Sequence, residues 1–151
     1  MSRRRAKRIQ PLIHIAKNAV QEALTYMGQL QQKIDSEKEK KATLIQYQSE
    51  YQNGFKQKGE TGVKGLEIQQ FESFMLQIND AMEKQSGQLT QLEAQLERAQ
   101  GIYRDLNQRL KSYEKLQERL NDQALISENI QMQKMLDEIG SQLHRLKDLD
   151  F

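Results

Sequence analysis

The sequence has no cysteine and no tryptophan, a single proline, and nine aromatic residues among 151. Without cysteine there is no disulfide framework and no thiolate metal site, which suits a reducing compartment. No stretch approaches the roughly 20 apolar residues needed to cross a bilayer. The basic N-terminus has no apolar run behind it, so a secretory signal is not expected and the chain reads as soluble and cytoplasmic. With 36% apolar and 29% charged residues, the composition is thin for a globular core. His14 and His144 stand far apart in the chain, neither with a second ligand three or four residues away, so neither reads as a metal ligand. The stretch Gly59-Glu60-Thr61-Gly62-Val63-Lys64-Gly65 has the wrong spacing for a phosphate loop, no Ser or Thr after the lysine and no strand feeding it. It reads as a flexible turn, and Asp148 and Asp150 as a fraying acidic terminus. No nucleophile–base pair assembles without a cleft, so no catalytic residue, cofactor or metal is expected.

What the chain does have is a heptad. In steps of four and three, one stripe reads Phe71, Met75, Ile78, Met82, Gln85, Leu89, Leu92, Leu96, Ala99, Tyr103, Leu106, Leu110, Tyr113, Gln117, Leu120, Ala124, with glutamine as its only polar residue. A second reads Ile13, Ala16, Val20, Ala23, Met27, Leu30, Ile34, Glu37, Lys41, Leu44, Gln48, Tyr51, Phe55. A seam this narrow is buried only by a partner helix. The fold expected is all-α: a long antiparallel two-helix coiled-coil hairpin with an overhanging C-terminal helix.

Pro11 suits the first position of a helix, and Gly54, Gly59, Gly62 and Gly65 form the one strong break. The expected organisation is a basic tail over residues 1–10 and a hairpin over 11–150. Within it, helix 1 covers about 11–52, a glycine-rich turn 53–65, and helix 2 about 66–146. A turn centred near residue 59 or 60 pairs position i with about 119 − i, so Leu12 meets residues near 107 and Tyr47 faces Phe74. The same rule sets the polar seam residues Glu37, Lys41 and Gln48 opposite Met82, Ile78 and Phe71, which specifies register and loosens the middle of the hairpin. Beyond about residue 110 helix 2 has no partner, unless residues 1–10 continue helically past Pro11. After Ala124 the phase slips and resumes as Met132, Met135, Ile139 and Leu146, with Ile126, Ile130 and Leu143 alongside. An uncovered stripe is a surface for binding or oligomerisation. Five of the nine aromatic residues, Tyr47, Tyr51, Phe55, Phe71 and Phe74, gather near the turn, where they form either a widened seam or a binding hot spot.

Arg3, Arg4, Arg5, Lys7 and Arg8 put five positive charges and no acid into residues 1–10. Such a cluster solubilises a helix end or meets an acidic protein, a nucleic acid or an anionic membrane. The chain lacks the interleaving of bases with aromatics that a single-strand stacking surface requires.

The segment Leu44-Ile45-Gln46-Tyr47-Gln48-Ser49-Glu50-Tyr51 resembles the Leu-x-x-Tyr-x-x-Glu-Tyr signature of the flagellar export protein FliJ family. Phe71, Phe74, Met75, Ile78, Ala81, Met82 and Gln85 are similar to that family's series of aromatic, Phe-Leu, Leu, Ala-Ile and Gln. Glu128-Asn129, Gln133-Lys134-Met135 and Asp137-Glu138 are similar to its Glu-Asn, Gln-Lys and Asp-Glu stretch. Lys40 departs from the pattern, which has Gln there. The resemblance implies a non-enzymatic component of the flagellar type III export apparatus, similar to the central stalk of rotary ATPases. Its implied partners are the export ATPase hexamer (FliI), the export gate protein (FlhA) and export chaperones. Its implied location is cytoplasmic, held peripherally at the inner membrane of the flagellar base through the gate. Residue by residue, the gate-facing surface is then Leu44, Tyr47, Tyr51, Phe74, Ile78, Ala81 and Gln85. The ATPase-facing end is Glu128, Met132, Gln133, Lys134, Met135, Asp137 and Ile139, with the basic N-terminus beside it. Two alternatives stay open from the residues alone: a general coiled-coil adaptor or tether, and a nucleic-acid or anionic-membrane binder acting through Arg3 to Arg8. Salt separates the latter, because phosphate binding collapses as salt rises.

Overall fold

A chain rich in Gln, Glu, Lys and Leu, with an apolar residue every three or four positions, gives each helical turn one face to bury. The computed structural model describes residues 2–149, and the side chains of residues 3–148; Asp150 lies outside the described residues. The described chain forms two helices, α1 (Ser2–Thr61) and α2 (Gly65–Leu149). They pack against each other as an all-α, antiparallel coiled-coil hairpin.

Both helices outrun the bounds read from the sequence. Residues 2–10, expected as a tail, are the first turns of α1, and Pro11 lies inside that helix. Proline removes one intrahelical donor and crowds the turn before it, and three arginines at a helix N-terminus oppose the helix dipole. Packing outweighs both, because Ala6 and Ile9 extend the seam upstream of Ile13 at the same three–four spacing and are buried. At the other end, Asn53-Gly54 and Gly59 are helical, and only residues 62–64 break the chain. Gly62 carries the turn, with φ of 103°, and the Lys64 carbonyl accepts the amides of Glu67 (3.0 Å) and Ile68 (3.3 Å) to open α2.

This arrangement separates the glycines by sign. A Cβ at Gly54 meets nothing within 4 Å, so Gly54→Ala is expected to stabilise by about 0.5–1 kcal/mol through helix propensity. Gly62→Ala is expected to destabilise by about 1–2 kcal/mol, because its φ lies where L-residues are strained. Thermal or urea unfolding of the two variants checks this. Equal effects would place the turn elsewhere.

The packing divides into two units, Met1–Gln21 with Arg104–Phe151, and Glu22–Tyr103. In the first, Ile9, Ile13, Ala16 and Leu110 form a buried cluster with Val20, Tyr113 and Leu120 packed on it. Gln117 Nε2 donates to the Ala6 carbonyl (3.3 Å) and to Gln10 Oε1 (2.7 Å). Arg3 grips Glu128 with both fork nitrogens at 2.9 Å, an exposed pair worth no more than about 1 kcal/mol. Position i therefore meets about 125 − i, not 119 − i, because the turn sits about three residues later than expected. Leu12 lies one position off the seam residue Ile13 and is exposed to solvent instead of meeting residues near 107. Cover on α2 extends to Ala124 rather than to about 110; from Leu125 to Asp148 every side chain is exposed.

In the second unit Leu30, Ile34, Ile78, Leu89 and Ala99 are buried along the seam. The shifted register gives the polar seam residues other partners than the apolar ones expected. Gln85 Nε2 donates to the Glu37 carbonyl (3.0 Å) and to Glu37 Oε2 (3.2 Å). Gln48 Nε2 donates to Asn79 Oδ1 at 2.9 Å. Glu37 and Gln48 thus each answer another polar group, an arrangement that helps to fix register.

Candidate partner-binding sites

In the second unit four aromatic residues, Tyr51, Phe55, Phe71 and Phe74, pack into one cluster. The rings of Phe55 and Phe71 lie 4.0 Å apart at 12°, Tyr51 is 5.6 Å from Phe71 at 4°, and Tyr51 meets Phe74 at 4.1 Å and 44°. Such pairs contribute about 0.5–1.5 kcal/mol each beyond burial. Tyr51, not Tyr47, faces Phe74. The later turn moves the register, and Tyr47 is left 58% exposed. Of the residues marked gate-facing by resemblance, Ile78 is buried in the seam, Tyr51 and Phe74 belong to the stack, and Tyr47 stands free on the outside.

Leu44, Ala81 and Gln85 come together along an open groove, whose other walls are Glu37, Lys40, Thr43, Lys84 and Gln88. Sequence reading did not group these wall residues. The signal was available, since Glu37, Lys40 and Leu44 share a helix face at three–four spacing. Lys40 pairs with Glu37 at 3.4 Å and Lys84 with Asp80 at 3.1 Å. The Gln85 amide, then Lys40, hold the Glu37 carboxyl below the usual glutamate range against the opposing effect of burial. The groove offers an apolar floor between polar rims.

The residues marked ATPase-facing all lie on the exposed part of α2 in the first unit. At about 100° per residue, Met132, Met135 and Ile139 share an arc of about 100° with Leu136, Leu143 and Leu146. That arc is turned by roughly 80° from the seam that ends at Ala124. All six side chains are between 46% and 63% exposed, and Leu136 was not picked out from the sequence. Lys134 and Asp137 lie on the opposite side of the helix. Glu128 is engaged by Arg3, so the seven residues do not form one surface.

His14 is exposed and hydrogen-bonded to Asn18, and His144 lies 3.7 Å from Asp148. Among the described residues no group of three or more His, Cys, Asp or Glu side chains is placed to hold a metal. Nor is any helix among them long and apolar enough to cross a membrane.

The family described as flagellar FliJ protein matches residues 5–148. A flagellar FliJ protein of Escherichia coli (strain K12) is 28% identical over 126 residues, covering 83% of this chain and 86% of the relative. One of Salmonella typhi is 27% identical over 132 residues, covering 87% and 90%. No solved structure gives a significant match. The matched stretch takes in the groove, the aromatic stack and nearly all of the exposed end of α2, and the chain belongs to the FliJ family of flagellar export proteins.

Proposed function

We propose that the chain is a non-enzymatic stalk of the flagellar type III export apparatus, binding the export ATPase ring and promoting its assembly and activity. The observation that carries this reading is the exposed apolar arc of Met132, Met135, Leu136, Ile139, Leu143 and Leu146, on a stretch of α2 with no cover from α1. An apolar face of this length is a helix-docking surface. The basic start of α1, tied to the same region through Arg3 and Glu128, adds positive charge that would suit an acidic partner surface. The gate protein, on this reading, meets the second unit through Tyr47 and the groove, and export chaperones use exposed parts of the rod. The protein then works in the cytoplasm, held peripherally at the inner membrane through the gate.

The test is ATP hydrolysis by a purified flagellar export ATPase with and without this protein, with ring assembly followed in parallel. Stimulation together with more hexamer is expected. Unchanged hydrolysis and no co-migration would refute the stalk reading. A second reading draws on one observation: residues 3–21 carry six basic side chains and no acid, with Leu12 and Ile15 exposed among them. Such a face suits an anionic membrane surface or a nucleic acid. Binding to either that collapses between low and physiological salt, and vanishes when residues 2–8 are deleted, would favour it.

A further inference from the structure

Past Ala124 the apolar residues of α2 change sides. Continued in steps of three and four, the seam that α1 covers passes through Ser127, Gln131, Lys134, Glu138, Ser141, Arg145 and Asp148, without one apolar residue. One position after Ala124 a new stripe begins on another side of the helix. It reads Leu125, Asn129, Met132, Leu136, Ile139, Leu143 and Leu146, in unbroken steps of four and three. Its six apolar members are each between 46% and 63% exposed. The spacing makes Asn129, Leu136 and Leu143 the a positions of a heptad and the other four its d positions. Five of the seven charged residues of 125–148, Lys134, Asp137, Glu138, Arg145 and Asp148, then fall on the outer positions b, c and f. Of the other large apolar residues there, Ile126 and Met135 flank the stripe and Ile130 lies outside it. A strict a/d stripe with its charges turned outward is the pattern of a coiled-coil seam whose second helix is not α1.

We propose that this end of α2 pairs with the same stretch of a second copy of the chain, as a parallel two-stranded coiled coil. Asn129 argues for like meeting like. A polar residue at an a position is tolerated where its counterpart is polar, and parallel pairing in register sets Asn129 against Asn129. Antiparallel pairing of the same stripe would set it against an apolar residue near Leu143. Flanking charges that would select a different helix are nearly missing. The e and g positions hold Ile126, Gln133, Gly140, Met135 and Gln142 besides Glu128 and Lys147, and Glu128 is already engaged by Arg3. α1 leaves room for the second copy, because the residues of α2 that it buries end at Ala124, on the other stripe. Three heptads make a short seam, so the pairing is weak and depends on concentration. It stands on the heptad and not on the ATPase reading. Where both hold, the second copy and the ring compete for one face, and the free stalk keeps its apolar end covered until the ring takes it.

The experiment is sedimentation equilibrium of the full-length chain over a wide concentration range, beside a variant carrying Leu136→Lys and Leu143→Lys. The mass of the unaltered chain is expected to rise with concentration from that of one chain toward that of two. The variant should stay a monomer, since pairing would bury its new charges. Both side chains are exposed in the free protein, so its helicity and its Tm at low concentration should match the unaltered chain. Asn129→Leu removes the polar a position and is expected to tighten association about tenfold. The chain has no cysteine, so single cysteines report the alignment. On mild oxidation Met132→Cys, at a d position, should cross-link two chains, and Ser127→Cys, on the outer face, should not. Association that survives in the lysine variant, an Asn129→Leu chain that pairs no more tightly, or equal cross-linking at the two cysteines would each overturn the proposal. A chain that stays monomeric at every concentration yet stimulates the export ATPase would overturn it too, and would keep the ring as the occupant of the arc.

Discussion

A chain ending at Ala124 is expected to keep the folded hairpin and lose ATPase stimulation altogether. The buried side chains of α2 in the first unit end at Ala124, so the cut removes no seam residue. What goes is the exposed helix from Leu125 onward, including the acceptor of the Arg3 ion pair. That exposed pair contributes at most about 1 kcal/mol, so fraying of the first turn of α1 is the only structural cost foreseen. Circular dichroism should show helicity per residue unchanged and the melting transition still cooperative. The loss of function should be complete, because a docking helix without its apolar arc has nothing left to bury. Full stimulation by the truncated chain would give the arc another use. A finer variant separates shape from chemistry: Met132, Leu136 and Ile139 replaced together by Ser keep the helix exposed and intact but remove the apolar surface.

Much of this was legible in the sequence, and the errors share one cause. Every position of the stripe from Phe71 to Ala124 is at least partly buried, because a three–four repeat leaves a helix pair little choice of interface. Sequence expectation and structure part where local signals oppose the seam. Pro11 and the glycines before Gly62 are break signals in the sequence, yet each costs only a few kcal/mol or less, and the seam runs past Pro11 through Ala6 and Ile9 and past Gly54 through Phe55. Moving the turn from residue 59 or 60 to residues 62–64 changes the partners of Glu37 and Gln48. Glu37 found Gln85 and Gln48 found Asn79. The groove was out of reach for the same reason, since its walls come from both helices and only the true register brings Leu44 beside Ala81 and Gln85. The rotated arc after Ala124 was visible as a phase slip, yet its membership needed exposures to complete it, which is how Leu136 entered.

The corrected register also changes what the aromatic residues are expected to do when removed. Tyr47 is exposed and outside the stack, so Tyr47→Ala should alter unfolding free energy by less than about 0.5 kcal/mol. Phe74 is half-buried against Tyr51 at 4.1 Å, so Phe74→Ala should cost about 1–3 kcal/mol, below the full price of a core phenylalanine. Both are expected to weaken binding of the gate protein, but by different routes. On the proposed reading Tyr47 is a direct anchor, and its loss is expected to cost about 2 kcal/mol, a roughly thirtyfold rise in Kd with no change in Tm. Loss of the phenylalanine lets Tyr51 move and should lower Tm and affinity together. Urea unfolding and calorimetric titration on the two single variants separate these outcomes, which a double variant would merge. If Tyr47→Ala binds the gate protein as tightly as the unaltered chain, the outer face of α1 is not part of the interface. Weakening by Phe74→Ala alone would then reflect the stability of the stack, and the partner surface would have to be sought in the groove.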